Sequence, residues 1–279
     1  MEKQTHNVSS PIEERRRGVL TVVKIGGNVL DDPKILDIFL KDFAAIAGYK
    51  ILVHGGGKIA SKLSLDLGME VKLIEGRRIT DAESLKVVVM VYAGLINKTI
   101  VAKLQSSECN AIGLSGADGN LIKASKRLVG HIDYGFAGDI DADSIAVARL
   151  KKLLEGGFVP VFSAITHDGK GQLLNTNADT IASAIAVALS DDYEPSLVYC
   201  FEKRGVLLDL TDENSVIREI KSSDLETLKE QKIIADGMLP KLYNAFESIK
   251  NGVKQVYIGR ADEISNITKN TFAGTRLIR

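Results

Sequence analysis

The chain has 279 residues, enough for one large α/β domain or two fused lobes with a sizeable core. Lys plus Arg and Asp plus Glu number 36 each, so the net charge is zero, which argues against nucleic acid as a partner. No apolar run reaches the roughly 18 residues that span a bilayer, and the N-terminus lacks a signal peptide's apolar core, so no membrane association is expected.

Only Cys109 and Cys200 are present and they lie far apart, which fits a cytoplasmic, reducing location without a disulfide framework. His6, His54, His131 and His167 show no metal-ligand spacing, so no protein metal site is expected. Asn7, Asn97 and Asn266 sit in glycosylation-type triplets, chance matches in a chain without secretion.

Residues 1–18 are a polar N-terminal extension ending in "EERRRG". Ser10, Pro11 and Glu13 match a capping box with proline at the first helical position, a short helix that would be marginal in water by itself. Strand and helix signals then alternate. "VLTVVKI" (19–25) is an apolar, β-branched run, and "PKILDIFLKDFAAIAG" (33–48) has helical spacing and a glycine stop. "KILVH" (50–54) predicts a second strand and "KIASKLSLDLG" (58–68) a second helix; "MEVKLIEGRRIT" (69–80) alternates like a hairpin. Thr80 and Glu83 form a capping box for a long helix with Leu85, Val88, Val89, Tyr92, Ile96 and Ile100 on one face.

"NAIGLSG" (110–116) and "GFVPVFSAI" (157–165) predict further strands, with a helix at 142–155 between them. "GQLLNTNADTIASAIAVALS" (171–190) runs from a strand through cap residues into a helix without a polar face, which implies burial. "SLVYCF" (196–201), a polar hairpin-like region, helices at 222–231 and 239–250, and strands "KQVYIG" (254–259) and "GTRLI" (274–278) complete the pattern. Such alternation predicts an α/β fold: a mostly parallel sheet with helices on both faces and ligands bound beyond the carboxyl ends of strands. Lys24 with Gly26 and Gly27, His54 with Gly55 to Gly57, and Asn175 with Asp179 all fall at such ends.

Glycine costs roughly 0.5–1 kcal/mol in a regular element, so "HGGG" needs a reason. A glycine run at a strand-to-helix turn leaves backbone N–H groups open to an anion, with the helix dipole behind them; tight turn geometry is the equal alternative. "VVKIGG" matches neither the dinucleotide fingerprint nor the P-loop, since Lys24 precedes the glycines. An ammonium ending a central strand cannot easily reach bulk water, and seeks a phosphate or a structural partner such as Asp179. Arg77 and Arg78 alternate in a strand, so one of the two should face a site, where a guanidinium fork suits a carboxylate. Asn175 to Asn177 read as binding groups or as helix caps. Asp179, opening an apolar helix, needs a cationic partner. In "DGMLPK", Gly237 marks a turn and Pro240 suits a helix's first turn, just ahead of Lys241.

Taken in order, "VVKIGGN", "LVHGGG", "GRRITD", "INKTIVAKL", "GLSGADGNLI", "DYGFAGDI", "LNTNAD", "DGMLPK" and "GTRLI" resemble the amino-acid kinase family over residues 19–279. The resemblance implies an open three-layer α/β/α sandwich. Its N-terminal lobe (19–190) would bind an acylated amino acid and carry the dimerisation helix, and its C-terminal lobe (191–279) would bind ATP. It implies that Lys24 and Lys241 flank the transferring phosphoryl group and that Asp179 holds the two lysines. Gly26, Gly27, Gly56 and Gly57 would offer N–H donors, the last two toward the substrate. Arg78 and Asn175 would bind the acylated amino acid, and Glu202, Gly237 and Met238 would lie beside the nucleotide.

One departure is plain: where the family usually carries Thr-Asp or Ser-Asp before V-x-G, this chain has "FEKRG", with Glu202 at the aspartate position. The activity implied is ATP-dependent phosphorylation of the γ-carboxylate of N-acetyl-L-glutamate in arginine biosynthesis, with Mg²⁺ carried by the nucleotide and a homodimer or larger homo-oligomer as the assembly. Another N-acylglutamate, such as N-succinylglutamate, or a non-catalytic sensing role on the same fold, are the alternatives.

Overall fold

A computed structural model describes residues 18–74, 76–209, 211–230, 238–267 and 271–279. The capping box at Ser10 and the turn glycine Gly237 lie outside the described residues.

The strand–helix alternation is realised in order: β1 (Gly18–Ile25), α1 (Gly27–Asp31), α2 (Pro33–Ala44), β2 (Tyr49–His54) and α3 (Gly57–Asp66). A long helix, α4 (Ala82–Gln105), follows, then β3 (Ala111–Leu114), α5 (Val147–Glu155), β4 (Val159–Ser163) and α6 (Ala178–Ala188). The remainder is β5 (Tyr193–Phe201), β6 (Glu219–Lys221), α7 (Leu225–Glu230), α8 (Leu239–Lys250), β7 (Gln255–Arg260) and β8 (Thr275–Ile278). Helix α2 shows the local logic: Asp32 caps the N–H groups of Lys34 and Ile35, Pro33 opens the first turn, and Leu36, Phe39, Leu40 and Phe43 form its buried face.

The eight strands form one sheet in the order β6-β8-β7-β5-β1-β2-β4-β3. Every neighbouring pair is parallel except β7–β8. Residues 18–190 supply β1 to β4 and residues 191–279 supply β5 to β8, joined by the β1–β5 pairing from Gly18 with Tyr193 to Lys24 with Tyr199. Helix α6 covers β1, β2 and β5 on one face and packs against α8; the end of α4 covers β3 and β4 on the other face, beside α2. The chain leaves β1 toward β2 and leaves β5 toward the opposite edge, so a crevice opens at the carboxyl ends of β1 and β5.

Local expectations are corrected in four places. Thr80 does not cap α4: it is fully buried and bridges to Gly135, and Asp81 accepts the Ser84 N–H instead, because Thr80 is drawn into backbone pairing one residue too early. The expected face of α4 buries Leu85, Val88, Tyr92, Ile96 and Ile100, but Val89 is only half-buried, at the edge of that face, and directly after it Met90–Ile96 form a π-turn. Strand β5 begins at Tyr193 rather than at 196, with Glu194 and Pro195 already paired to β1. Finally, α4 is 24 residues long and apolar enough to cross a membrane, which the count of uninterrupted apolar residues had not indicated; here it buries one face against the fold. A four-stranded sheet of Ser125–Lys126, Ala137–Asp139, Leu173–Thr176 and Ile165–His167 stands beside the main one.

Candidate active site

A cleft of about 730 Å³ opens at the switch point. Two glycine turns form its floor: Gly26 and Gly27 between β1 and α1, and Gly55 to Gly57 between β2 and α3. Neither α1 nor α3 has a side-chain cap, so both present open first turns toward the cleft. The reason for three glycines together is specific. Gly56 has φ of +152°, and a Cβ there would lie 2.3 Å from Ile96 Cδ1 and 2.9 Å from Tyr92 Cδ1. Gly55 and Gly57 meet nothing so close, and leave open backbone on the cleft wall.

Lys24 is the penultimate residue of β1, its side chain 13% exposed, and its ammonium lies 2.8 Å from Asp179 Oδ1 in the first turn of α6. The contact is an ion pair without an aligned hydrogen bond to that oxygen. Lys241, in the first turn of α8, sits with its Nζ 4.1 Å from the Phe201 ring centre; the Lys24 ammonium is 5.9 Å from the same ring. Burial pulls the Lys241 ammonium below the usual lysine range; the Asp179 carboxylate opposes this, Lys24 adds to it and Glu202 opposes it. Two lysines and one carboxylate from three distant segments therefore share one electrostatic centre. Lys241, Glu202 and Met238 lie off the cleft wall rather than on it. Met238 opens α8, its carbonyl accepting the N–H groups of Lys241 and Leu242.

Arg78 donates to the Gly57 carbonyl at 3.0 Å and to Ser61 Oγ at 2.5 Å, tying the hairpin of Leu73–Ile74 and Arg77–Arg78 to the start of α3. Arg77 also reaches the cleft, at its exposed rim, so both arginines line it rather than one; a hairpin of two-residue strands is too short to impose a strict alternation of faces. Asn175 lines the cleft and donates to Thr80 Oγ1 at 3.0 Å, while the helix cap is Asn177, which accepts from Asp179 and Thr180. Cationic Lys24, Lys58, Lys62, Arg77, Arg78 and Arg127 face acidic Asp66 and Asp179 across the cleft, a balance suited to a polyanionic ligand.

Three contributors were missed from sequence. Lys58 bridges the two glycine turns, donating to Asn28 Oδ1 at 2.7 Å and lying 3.4 Å from Asp31 and 3.8 Å from Glu202. Its signal was the lysine directly after "GGG". Phe201 lies under the ammoniums of both Lys24 and Lys241 and reads from sequence as a strand end. Arg127 pairs with Asp139 through two of its nitrogens and stacks over Tyr134, and nothing in its sequence neighbourhood singles it out. Among the described residues no three His, Cys, Asp or Glu side chains cluster as metal ligands.

The amino acid kinase family model matches residues 19–260. Acetylglutamate kinase of Cytophaga hutchinsonii is 52% identical over 93% of this chain and 98% of its own length, and that of Bacteroides fragilis is 48% identical over 95% and 99%. Among solved structures, an N-acetylglutamate synthase from Neisseria gonorrhoeae complexed with coenzyme A and N-acetyl-glutamate superposes with a TM-score of 0.79 at 22% identity, covering 94% of this chain and 60% of that one. Carbamate kinase from Giardia lamblia bound to AMP-PNP superposes at 0.65 and 16% identity, covering 94% and 99%. With a family model spanning most of its length and relatives at about half identity, this chain belongs to the amino acid kinase family.

Proposed function

We propose that this chain transfers the γ-phosphoryl group of ATP to the γ-carboxylate of N-acetyl-L-glutamate, forming an acyl phosphate for arginine biosynthesis. The observation that carries the reading is the convergence of Lys24 and Lys241 on Phe201, with Asp179 paired to Lys24, at the edge of a cationic, glycine-floored cleft. Relatives named acetylglutamate kinase at 48–53% identity support the choice of substrate.

A carboxylate oxygen attacks the γ-phosphorus while the bond to the bridging oxygen breaks and ADP departs with the electron pair. Phosphoryl transfer leaves the protein mainly positioning and charge stabilisation. Lys24 and Lys241 would offset charge on the transferring group, and Asp179 would keep the two ammoniums from repelling each other apart. Open N–H groups at Gly26, Gly27, Gly56 and Gly57 would receive phosphate and carboxylate oxygens, and Arg78 and Asn175 would hold the acylated amino acid. Asp179 is committed to Lys24, so Mg²⁺ fits only as the companion of the nucleotide phosphates, whose charge it would neutralise while keeping several waters. N-acylation blocks the amine, which would otherwise attack the acyl phosphate.

In the same reading the enzyme is cytosolic and forms a homodimer through α4, where Met90 and Leu95 expose apolar side chains away from the core. One assay tests the activity: ADP release and hydroxylamine trapping with N-acetylglutamate, N-succinylglutamate and glutamate. Turnover of the acetyl substrate to a trappable product is expected; turnover of free glutamate alone, or of none, rejects the reading.

A further inference from the structure

His54 and Asn97 are buried polar residues that the proposed chemistry does not use. His54 ends β2, fully enclosed, with Nδ1 2.9 Å from the Gly55 carbonyl and Nε2 3.1 Å from Asn97 Nδ2. Asn97 is fixed from three sides: its Nδ2 also donates to the Val161 carbonyl at 2.9 Å, and its Oδ1 accepts from Lys98 Nζ at 3.2 Å. Those partners orient the amide, so Nε2 must accept and Nδ1 must carry the proton. The fold makes room for this arrangement. A Cβ at Gly113 would lie 2.0 Å from Asn97 Oδ1, and Asn97 directly follows the π-turn of α4, a helical irregularity that recurs at functional sites.

A trans peptide points its C=O and N–H in opposite directions. When the imidazole draws the Gly55 carbonyl toward the interior, the N–H of Gly56 on the same peptide is turned the other way, toward the cleft that Gly56 lines. The Gly56 N–H makes no hydrogen bond to another described residue, while the Gly55 N–H is engaged by the Ile25 carbonyl at 3.4 Å. Tyr92 and Ile96, from the same π-turn, press on Gly56 from behind.

We propose that Asn97 and His54 act as a positioning pair that aims the Gly56 N–H at the anionic substrate. This rests on the kinase reading above and adds two residues to it. Neither touches substrate: Asn97 selects the tautomer, His54 holds the peptide, and the peptide presents the donor. Burial without a charged partner, which lowers the His54 pKa to about 4, keeps the imidazole neutral for that task.

The test begins with imidazole-nitrogen NMR of the wild-type protein at neutral pH, which needs no turnover. A protonated Nδ1 and bare Nε2 at His54 are expected; the opposite tautomer overturns the pair. Kinetics of His54→Leu, Asn97→Leu and the double variant follow, with N-acetylglutamate and ATP. Each single change should lower kcat/KM for the acylglutamate about tenfold or more, a fraction of the loss of one oxyanion donor, and leave KM for ATP within about twofold. The double variant should be little worse than either single one. His54→Gln, whose amide offers one neutral donor and one acceptor, should restore most of the lost activity. Wild-type-like kinetics in His54→Leu, or a His54→Gln variant as impaired as His54→Leu, overturns the pair. A wild-type protein that forms no trappable product rejects the kinase reading instead, and leaves the tautomer measurement to judge the pair.

Discussion

Lys24 and Asp179 stand 2.8 Å apart, the one next to last in strand β1 and the other in the first turn of α6, and both face the cleft. The contact supplies the opposite charge that a half-buried lysine and a half-buried carboxylate each require, and on the proposed function it also sets the ammonium where a phosphoryl group would pass. Replacing Lys24 by alanine should lower kcat by roughly 10²–10³, the scale of losing one transition-state donor, with a smaller effect on ATP binding. Steady-state kinetics and nucleotide titration check this; an alanine variant with near-normal turnover removes Lys24 from the chemistry.

Arg78 is held by Gly57 and Ser61 through one terminal guanidinium nitrogen, while the bidentate hold proposed for the substrate carboxylate needs its planar fork. Arg78→Lys should therefore behave much like Arg78→Ala, raising KM for the acylglutamate with little change for ATP. The reverse pattern in initial-rate measurements would assign Arg78 to the nucleotide.

Of the three glycines before α3, Gly56 is the one that the fold cannot exchange. Gly56→Ala combines a left-handed φ with a contact of 2.3 Å to Ile96, and should destabilise the protein by about 1–3 kcal/mol while abolishing most activity. Denaturant unfolding reads the first effect. Gly57→Ala, with Tyr92 Oη 3.7 Å from the added carbon, should unfold near the wild-type midpoint.

The proposed acceptor is a carboxylate with a reference pKa of about 4.3, already ionised at neutral pH, so no general base is needed. With His54 enclosed and its pKa at about 4, kcat should show no histidine-like step between about pH 6 and 8. Stability should respond instead. The folded pKa lies below the unfolded value of about 6.5, so unfolding takes up a proton between those limits, and stability falls as pH drops from about 6.5 to 4. His54 alone contributes on the order of 3 kcal/mol across that window. Unfolding curves for wild type and His54→Gln, compared across it, isolate the contribution; equal acid sensitivity in both would count against it.

The glycine turns and lysines read phosphate and carboxylate, not the acyl group. On the proposed function, kcat/KM should favour N-acetylglutamate over N-succinylglutamate. A strong succinyl preference would point to the cationic rim, Arg77 and Arg127, as the acyl-end contact.

Much of the site was legible because its parts are local. A lysine closing an apolar strand, three glycines before a helix, and an aspartate opening an apolar helix each carry a physical demand visible within a few residues. Legibility failed where a role depends on distant neighbours. Phe201 became the platform for two ammoniums through the β1–β5 pairing and the placement of α8. Asn97 fell in a chance glycosylation triplet and in the segment "INKTIVAKL" with no role of its own, yet it is 1% exposed and tied to His54 and Val161.

By itself the sequence determined the order of strands and helices, since hydrophobic period and turn residues act within a span of a few residues. It also determined which segments carry the glycines, lysines and carboxylates of the cleft. Only the tertiary structure decided which member of each group faces the cleft. Gly56 rather than its neighbours is indispensable because Ile96 and Tyr92 press on it. Asn177 caps α6 while Asn175 reaches Thr80, and Asp81 displaces Thr80 as the cap of α4. The physical reason is that donors, acceptors and excluded volume are settled by whatever the chain brings alongside. For this cleft those neighbours come from the carboxyl ends of parallel strands that lie far apart in sequence.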